Sequence, residues 1–174
     1  MTQNSQIESA VLRAASRIKL LVLDCDGVLT DGKIYFSAEG EAMKAFHVHD
    51  GQGIKMWQKA GFRTAVITAR RSPIAEARAE ELGIEFVMDG VADKAAALDD
   101  LMGTTQLGAE QIAYVGDDIS DLGPLRRVGF PIAVANCADA LRESVIYITS
   151  RTGGSGAVRE VTDLLLSAKE TEAS

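Results

Sequence analysis

The stretch "LLVLDCDGVLTDG", residues 20–32, joins an apolar run to two aspartates and a glycine. The almost unbroken apolar run from Ile18 to Leu23 predicts a buried strand, because aliphatic runs of this kind are typical of parallel strands that are covered on both faces. Asp24 and Asp26 follow this strand directly. A buried carboxylate needs a cation or hydrogen-bond donors to offset its lost hydration. The stretch therefore predicts a cation beside these two acids.

After this strand, short apolar segments alternate with helical segments. Further strands are predicted at residues 62–68, 84–88, 112–116, 130–134 and 145–149. Helices are predicted at residues 4–17, 50–60 with Asp50 as N-cap, 73–82 with Ser72 as N-cap, 93–102, 118–127 and 138–143, and from Gly156 onward. This alternation predicts an α/β fold, namely a Rossmann-like doubly wound parallel sheet covered by helices on both faces.

A short insert separates the first strand from the helix at 50–60. Its segments 33–36 and 42–48 flank the turn sequence "SAEGE" and predict a β-hairpin flap within an insert of about residues 31–49. An insert of this length leaves no room for a separate cap domain. The chain of 174 residues is predicted to form one domain, residues 1–174, with a mobile tail from about 169 to 174.

Composition and charge exclude several classes of function. Hydrophobic residues make up 47% and charged residues 25% of the chain, as in folded globular proteins. The net charge of −7 opposes binding to nucleic acid, which is itself a polyanion. Because the sequence shows no long apolar run and no secretory signal, we expect a cytoplasmic protein that does not bind the membrane. Cys25 and Cys137 lack disulfide or zinc spacing, and Cys25 is expected to be a small buried hydrophobe.

Polar residues follow several of the predicted strands, at the sheet edge where ligands bind in doubly wound folds. They are Asp24, Asp26, Thr68, Lys94, Asp117, Asp118 and Asp121. Carboxylate-rich sites favour hard cations such as Mg²⁺, which leaves coordination positions for phosphate oxygens. One carboxylate could attack the phosphorus of a bound ester while a second protonates the leaving oxygen. Lys94 and Thr68 are suited to stabilise charge on the transferring group.

Four motifs carry a resemblance to a known family. "DCDGVLTDG", "ITAR", Lys94 and "GDDISD" resemble, in order, the four motifs of the haloacid dehalogenase superfamily of phosphatases. The resemblance implies the haloacid dehalogenase fold, with Asp24 as the nucleophile that forms an aspartyl-phosphate and Asp26 as general acid and then base. It also implies that Mg²⁺ is held by Asp24, by Asp117 and by the backbone carbonyl of Asp26.

Longer stretches narrow the resemblance within that superfamily. "DGVLTDGKIYFSAEGE", "AFHVHDGQGI", "AYVGDDISDL" and "GGSGAVREVTDLLL" resemble phosphatases of an eight-carbon sugar-acid phosphate in lipopolysaccharide synthesis. This implies an anionic sugar-phosphate substrate and a homotetramer in which the hairpins assemble. The substrate-binding residues are then predicted to be His47, His49, Asp50, Gly51, Lys55, Arg70 and Arg78. Arg70 and Arg78 could pair with the substrate's carboxylate or phosphate, although exposed helix residues often carry such charges.

Several alternatives remain open from the sequence. His47 and His49 stand where relatives of this kind are expected to carry residues such as Asn and Arg, and "HVHD" could instead belong to a zinc site. A nine-carbon sugar-acid phosphate would suit the same fold and mechanism. Receiver domains of response regulators also combine acids, Thr and Lys on a parallel sheet. Their phosphoacceptor precedes both Thr and Lys, however, whereas "GDDISD" follows Lys94 here, and this chain is longer than a receiver needs. A catalytically silent assembly subunit is the third alternative.

The glycine-rich segment "RTGGSG", residues 151–156, precedes the last predicted helix. A single motif of this kind is more typical of a flexible connector than of a phosphate-binding loop. Such a connector could allow the C-terminal segment to reach the active edge of another subunit.

Overall fold

A computed structural model describes residues 3–172 of the chain and the side chains of residues 9–171. Six strands form one parallel sheet, and two more form the hairpin. The strands are β1 Leu20–Leu23, β2 Tyr35–Ser37, β3 Gly40–Met43, β4 Arg63–Ile67, β5 Phe86–Met88, β6 Ile112–Gly116, β7 Phe130–Ala133 and β8 Tyr147–Ile148. The order β5-β4-β1-β6-β7-β8, with β2 and β3 apart, confirms the predicted doubly wound fold and its hairpin flap.

The helices pack on both faces of this sheet, as parallel sheets require. They are α1 Gln3–Ser16, α2 Val48–Lys59, α3 Pro73–Leu82, α4 Lys94–Thr105, α5 Leu122–Leu125 and α6 Ala157–Glu172. Shorter helical turns cover Cys25–Leu29, Ala109–Gln111, Ile119–Asp121 and Asp139–Ser144. Within residues 3–172, no helix has both the length and the apolarity that a membrane crossing demands.

Strand β1 lies at the centre of the core. All four of its side chains are fully buried, and it pairs with β4 on one side and β6 on the other. Burial of each aliphatic side chain contributes roughly 1.5–3 kcal/mol, which fixes this strand firmly. The chain passes from β1 to β4 and β5 on one side and later to β6, β7 and β8 on the other. The strand order therefore reverses at β1, and the residues after β1 and β6 lie at a topological switch point.

Several helix ends match the residues that predicted them. The Ser72 hydroxyl accepts a hydrogen bond from the backbone N–H of Ala75, and Pro73 occupies the first turn of α3. Gly83 ends this helix with a φ of 67°, a left-handed conformation that glycine adopts without a Cβ penalty. The sequence thus located α3 to the residue.

Asp50 corrects the prediction for the preceding helix. Helix α2 begins at Val48, with His47 at its N-cap, and Asp50 is already inside the first turn. Its buried carboxylate accepts hydrogen bonds from the backbone N–H groups of Gly156 and Arg159, at 3.2 and 2.8 Å. A carboxylate at a helix N-terminus satisfies free donors there and complements the helix dipole. Asp50 therefore stabilises the start of α6 and not that of its own helix.

Other boundaries are shorter than predicted because local hydrogen bonds interrupt the regular pattern. The predicted helix 118–127 is divided into a 3₁₀ turn and the short α5, since Asp118 caps the turn through the N–H of Ile119. The predicted helix 138–143 is a 3₁₀ turn. The strand predicted at 42–48 begins and ends earlier, at Gly40–Met43, and the strand predicted at 145–149 is limited to Tyr147–Ile148.

The C-terminal segment is part of the core. Val158, Val161 and Leu165 of α6 are fully buried, and α6 packs against α1 and α2. Helix α6 continues to Glu172, and residues 173 and 174 lie outside the described range. The mobile tail expected from about residue 169 to 174 stays a prediction. Lys169 holds this end because its ammonium contacts the Ser16 carbonyl and lies over the Phe62 ring.

The "RTGGSG" segment is not a free connector. Gly153 donates a backbone hydrogen bond to the side chain of Asn136, and Gly154 donates one to the carbonyl of Val28, both at 3.0 Å. A Cβ at Gly153 would overlap the backbone of Gly27. The segment therefore packs directly against the turn that follows β1.

Candidate active site

Polar side chains from four segments meet at the switch point of the sheet. They line an open pocket of about 260 Å³, whose lining includes Asp24, Asp26, Gly32, Thr68, Ala69, Arg70, Lys94, Asp117, Asp118 and Ser120. Asp24 follows β1, Thr68 follows β4, and Asp117 follows β6, so three adjacent parallel strands deliver them to one edge. The structure thus brings together the predicted catalytic and metal-binding residues.

Lys94 is held between two carboxylates. Its ammonium lies 2.8 Å from Asp24 Oδ1 and 2.8 Å from Asp121 Oδ1, and its side chain is buried. Burial lowers the pKa of Lys94, but the charges of Asp24 and Asp121 outweigh burial and place the pKa above its usual value. Lys94 is therefore a fixed positive charge directly beside the predicted nucleophile.

Asp121 acts as the anchor of Lys94. Besides that ammonium, Asp121 accepts hydrogen bonds from the Tyr114 hydroxyl at 2.7 Å and from the backbone N–H of Asp117 at 3.0 Å. These donors occupy both of its oxygens. Asp118 instead caps the following turn through Ile119. Asp24 and Asp117 therefore remain the carboxylates with capacity for a cation.

The geometry of the acids fits a hard divalent cation. Carboxylate oxygens of Asp24, Asp117 and Asp121 lie within 4.8 Å of one another. Burial, reinforced by the charge of Asp121, raises the pKa of Asp117 to about 6, and burial also raises the pKa of Asp24. A Cβ at Gly27, whose φ is 92°, would overlap the Asp117 carboxylate, so the glycine leaves this carboxylate its space. Crowded, poorly compensated carboxylates of this kind gain free energy from a bound Mg²⁺.

Mg²⁺ binding is expected to depend on pH in a defined direction. Because the pKa of Asp117 is raised, its ionised form destabilises the metal-free protein. The metal-free protein therefore loses stability as the pH rises from 3.8, the usual pKa, through about 6, the pKa in the folded state. Below that pH, protons compete with the cation. Mg²⁺ is therefore expected to raise the unfolding temperature more at about pH 7.5 than at about pH 5. Thermal unfolding with Mg²⁺ or chelator measures this, and an equal increase at both values would contradict it.

Asp26 faces the hairpin. Its carboxylate contacts the ammonium of Lys44, and its Oδ2 lies 3.4 Å from Nε of Arg70. Lys44 was missed in the sequence because a lysine on a hairpin strand ordinarily extends into solvent, and no motif marks it. Glu41 was missed because a glutamate on a hairpin strand is also ordinarily exposed. Its carboxylate lies 3.1 Å from the Lys44 ammonium.

The predicted substrate-binding residues separate into two groups. Arg70 lines the pocket beside Asp26. The second group lies outside the lining of that pocket and consists of His47, His49, Asp50, Gly51, Lys55 and Arg78. Lys55 donates to the carbonyl of Glu81, and Arg78 lies 2.8 Å from the Glu81 carboxylate. Backbone donors of α6 occupy the buried Asp50 carboxylate, and the expectation that Asp50 binds substrate stays a prediction.

The histidines do not reproduce the zinc alternative. The rings of His47 and His49 meet edge to face with centroids 5.0 Å apart. Among the side chains of residues 9–171, the group of three or more potential ligands is Asp24, Asp117 and Asp121, and it includes neither histidine. The prediction that His47 and His49 contact substrate stays a prediction.

Cys25 lies between the two predicted catalytic acids but is buried. Burial, followed by the charge of Asp26, raises the pKa of its thiol to about 12. A thiol in this state is a poor nucleophile at neutral pH. The prediction of a small buried hydrophobe is consistent with this environment.

The sheet and the cluster of carboxylates around Lys94 define the class of the protein, and comparison with known proteins agrees. A model of the haloacid dehalogenase-like hydrolases matches residues 78–161. The 3-deoxy-D-manno-octulosonate 8-phosphate phosphatase KdsC of Yersinia pestis is 43% identical over 160 residues, which are 92% of this chain and 86% of the relative. The chain belongs to the haloacid dehalogenase superfamily of hydrolases. Within it, the chain belongs to the family of 3-deoxy-D-manno-octulosonate 8-phosphate (KDO 8-phosphate) phosphatases.

Two solved structures are similar over nearly the whole chain. The KDO 8-phosphate phosphatase of Moraxella catarrhalis, crystallised with a magnesium ion, a phosphate ion and KDO, has a TM-score of 0.90 and 40% identity, covering 98% of this chain and 95% of the other. The cobalt-bound phosphatase of Haemophilus influenzae has a TM-score of 0.88 and 42% identity, covering 90% of this chain and 92% of the other. Both carry metal ions, in line with the acidic cluster described above.

Proposed function

We propose that the protein is a Mg²⁺-dependent phosphatase that hydrolyses KDO 8-phosphate to KDO and inorganic phosphate in lipopolysaccharide biosynthesis. The observation that carries this proposal is the placement of Asp24 at the switch point, with Lys94 at 2.8 Å and Asp117 beside it. Relatives of similar length and fold that are named for this substrate support it. This reading replaces the receiver-domain alternative, because the relatives are hydrolases.

The residues support a two-step reaction. In the first step, Asp24 forms a bond to phosphorus, the bond from phosphorus to the sugar oxygen breaks, and Asp26 gives its proton to that oxygen. In the second, water attacks phosphorus and gives a proton to Asp26. The bond from phosphorus to the Asp24 oxygen then breaks, which restores the Asp24 carboxylate and releases inorganic phosphate. Lys94 and the Thr68 hydroxyl stabilise charge on the phosphoryl group. When bound at Asp24 and Asp117, Mg²⁺ supplies further charge neutralisation of the phosphate oxygens.

Turnover of two substrates, compared side by side, tests this function. We expect kcat/KM for the eight-carbon KDO 8-phosphate to exceed that for a nine-carbon sugar-acid phosphate. A preference for the nine-carbon ester would support the alternative substrate. Failure to release phosphate from either ester, or from a generic ester, would favour an assembly subunit.

Arg70 and Arg78 are expected to differ in how much they contribute to substrate binding. Arg70 is 40% exposed at the pocket and can offer a planar fork to the substrate's carboxylate, whereas Arg78 is engaged with Glu81 and lies beside Phe46. Arg70→Ala should therefore raise KM for the sugar acid about tenfold or more and leave KM for a small neutral ester nearly unchanged. Arg78→Ala should have a smaller effect. Steady-state kinetics on both substrates measure this, and an unchanged KM in Arg70→Ala would remove Arg70 from the site.

The hairpin supports a homotetramer, which we include in the proposal. Five large apolar side chains on or next to it are exposed, namely Ile34, Tyr35, Phe36, Met43 and Val48. Phe36 is 66% and Val48 is 78% exposed, which is unfavourable for an isolated hairpin of two short strands. Pairing of hairpins around a symmetry axis would cover these side chains and close the neighbouring pocket. The predicted interface is residues 34–36 and 42–46.

A substitution in the hairpin tests the assembly. Phe36→Ser should weaken the tetramer because it removes an exposed aromatic anchor, and turnover of the sugar phosphate should fall more than turnover of a small ester. Analytical ultracentrifugation at micromolar concentration measures the assembly state. A wild-type monomer with full, substrate-selective activity would contradict the tetramer.

The proposal also covers domain organisation and location. We propose that residues 1–174 work as one phosphatase domain with the hairpin insert at about 31–49. A cytoplasmic location is supported by the two free cysteines, Cys25 and Cys137, since secreted domains tend to pair such residues.

A further inference from the structure

Lys44 of the hairpin flap is buried against the catalytic acid. Its side chain is 1% exposed, and its ammonium contacts Oδ1 of Asp26 and lies 3.1 Å from Oε1 of Glu41. Burial lowers the pKa of Lys44, but hydrogen bonds to both carboxylates more than offset this and keep the pKa above its usual value. A buried ammonium requires such partners, because leaving it unpaired would cost several kcal/mol. The position of Lys44 is therefore closely tied to that of Asp26.

The flap is fixed on its other side by Glu41. Oε2 of Glu41 accepts a hydrogen bond from the Ser72 hydroxyl, which also caps α3. Arg70 lies 3.8 Å from Oε1 of the same glutamate. Two cations and two carboxylates thus form a network of balanced charge between the flap and the start of α3. Lys44 is thus part of a network that reaches the capped start of α3, and it also contacts Asp26.

The two oxygens of Asp26 have different environments. Oδ1 is occupied by Lys44, whereas Oδ2 is buried without a hydrogen-bond partner. Nε of the Arg70 guanidinium lies 3.4 Å from Oδ2, on a side chain that is 40% exposed. Asp26 lines the pocket next to Asp24 and Thr68. Oδ2 is therefore the oxygen available to exchange a proton with a bound substrate.

We propose that Lys44 is a positioning residue for Asp26: it fixes Oδ1, so that Oδ2 faces the leaving oxygen of the phosphate ester. This inference rests on the proposed phosphatase function, in which Asp26 transfers the proton. Lys44 does not touch substrate, since its side chain is enclosed. Its removal should therefore lower kcat and leave KM nearly unchanged.

A double-mutant cycle separates this role from a merely structural one. Lys44→Met removes the ammonium but keeps an unbranched side chain of similar length. We expect it to lower kcat for an alkyl phosphate by about 10- to 100-fold, and the first-turnover release of nitrophenol from nitrophenyl phosphate by less than about threefold. In an Asp26→Asn background, Lys44→Met should lower kcat for the alkyl phosphate by less than about twofold, because Lys44 acts through Asp26. Lys44→Arg should recover part of the activity.

Lys33→Met is the matched control. Lys33 belongs to the same insert and pairs with Asp31 at 3.0 Å, but its side chain is 71% exposed and is not part of the pocket lining. We expect wild-type kinetics from it. If thermal unfolding shows that Lys44→Met does not fold, the same cycle is measured with Lys44→Arg. This variant should lower kcat for the alkyl phosphate by a smaller factor, and the loss should disappear in the Asp26→Asn background.

Equal losses on both esters, or an equal loss in both backgrounds, would overturn the role of Lys44 while the phosphatase function stands. A wild-type protein that releases no phosphate from any ester would remove the proposed function and this inference together. A raised KM at constant kcat would instead make Lys44 a substrate-binding residue and contradict the positioning role.

Discussion

Asp24→Asn is expected to lower phosphate release by about 10⁴-fold or more while the protein keeps its fold. The asparagine amide has nearly the same shape as the carboxylate, but it is a very poor nucleophile toward phosphorus. Asp24 is buried at the end of β1, in contact with Lys94, so no other carboxylate can move into its position without breaking the core. Steady-state turnover of the sugar phosphate measures the loss.

Asp99→Asn provides the control for this substitution. Asp99 lies on α4, is 57% exposed and pairs with Arg127, so the same chemical change is made outside the pocket lining. We expect this variant to be as active as the wild type. Thermal unfolding of Asp24→Asn establishes that it is folded. Activity of a folded Asp24→Asn variant within tenfold of the wild type would exclude Asp24 as the nucleophile.

Asp26→Asn is expected to lower kcat for an alkyl phosphate by about 10²- to 10⁴-fold, the range typical of general acid catalysis. The first-turnover release of nitrophenol should fall much less, because nitrophenolate departs without a proton. The Mg²⁺ requirement should persist, since only the backbone carbonyl of Asp26 is predicted to contact the metal. Rapid-mixing kinetics with both esters measure the difference.

Chelation of the divalent cation provides the companion control for Asp26→Asn. Without Mg²⁺, both esters should lose turnover together, since the cation assists transfer of the phosphoryl group whatever the leaving group. The Asp26 variant should differ by its selectivity between the esters. Equal losses in Asp26→Asn would assign this carboxylate to a role other than acid catalysis.

The sequence was sufficient to predict the parallel sheet and the polar residues at its carboxyl edge. The apolar residues of β1 predict that this strand is buried. The acid that follows them, Asp24, is then predicted to lie at the carboxyl edge of the sheet. The same holds for Asp117 after β6 and for Thr68 after β4. Parallel strands place their carboxyl ends together, so spacing along the chain was enough to predict proximity in space. Helix α3 was equally clear, because both of its ends carry local capping residues.

The features that the sequence did not predict depend on contacts between segments far apart in the chain. Asp50 precedes an amphipathic helix and resembles its cap, yet its hydrogen bonds go to α6, more than a hundred residues later. Lys44 looks like an exposed hairpin lysine until the flap folds over Asp26. The division of roles between Asp117 and Asp121 follows from the Tyr114 hydroxyl and from Lys94. Local propensity carries no information about such partners.

The most direct test of the account is to identify the residue that carries the phosphoryl group. The protein is mixed with KDO 8-phosphate and Mg²⁺, quenched within the first turnover and reduced with borohydride, which converts an aspartyl-phosphate to homoserine. Peptide mass spectrometry then locates the homoserine. The account predicts homoserine at position 24, dependent on substrate and absent from Asp24→Asn. Homoserine at another acid, or phosphate release without any trapped residue, would contradict it.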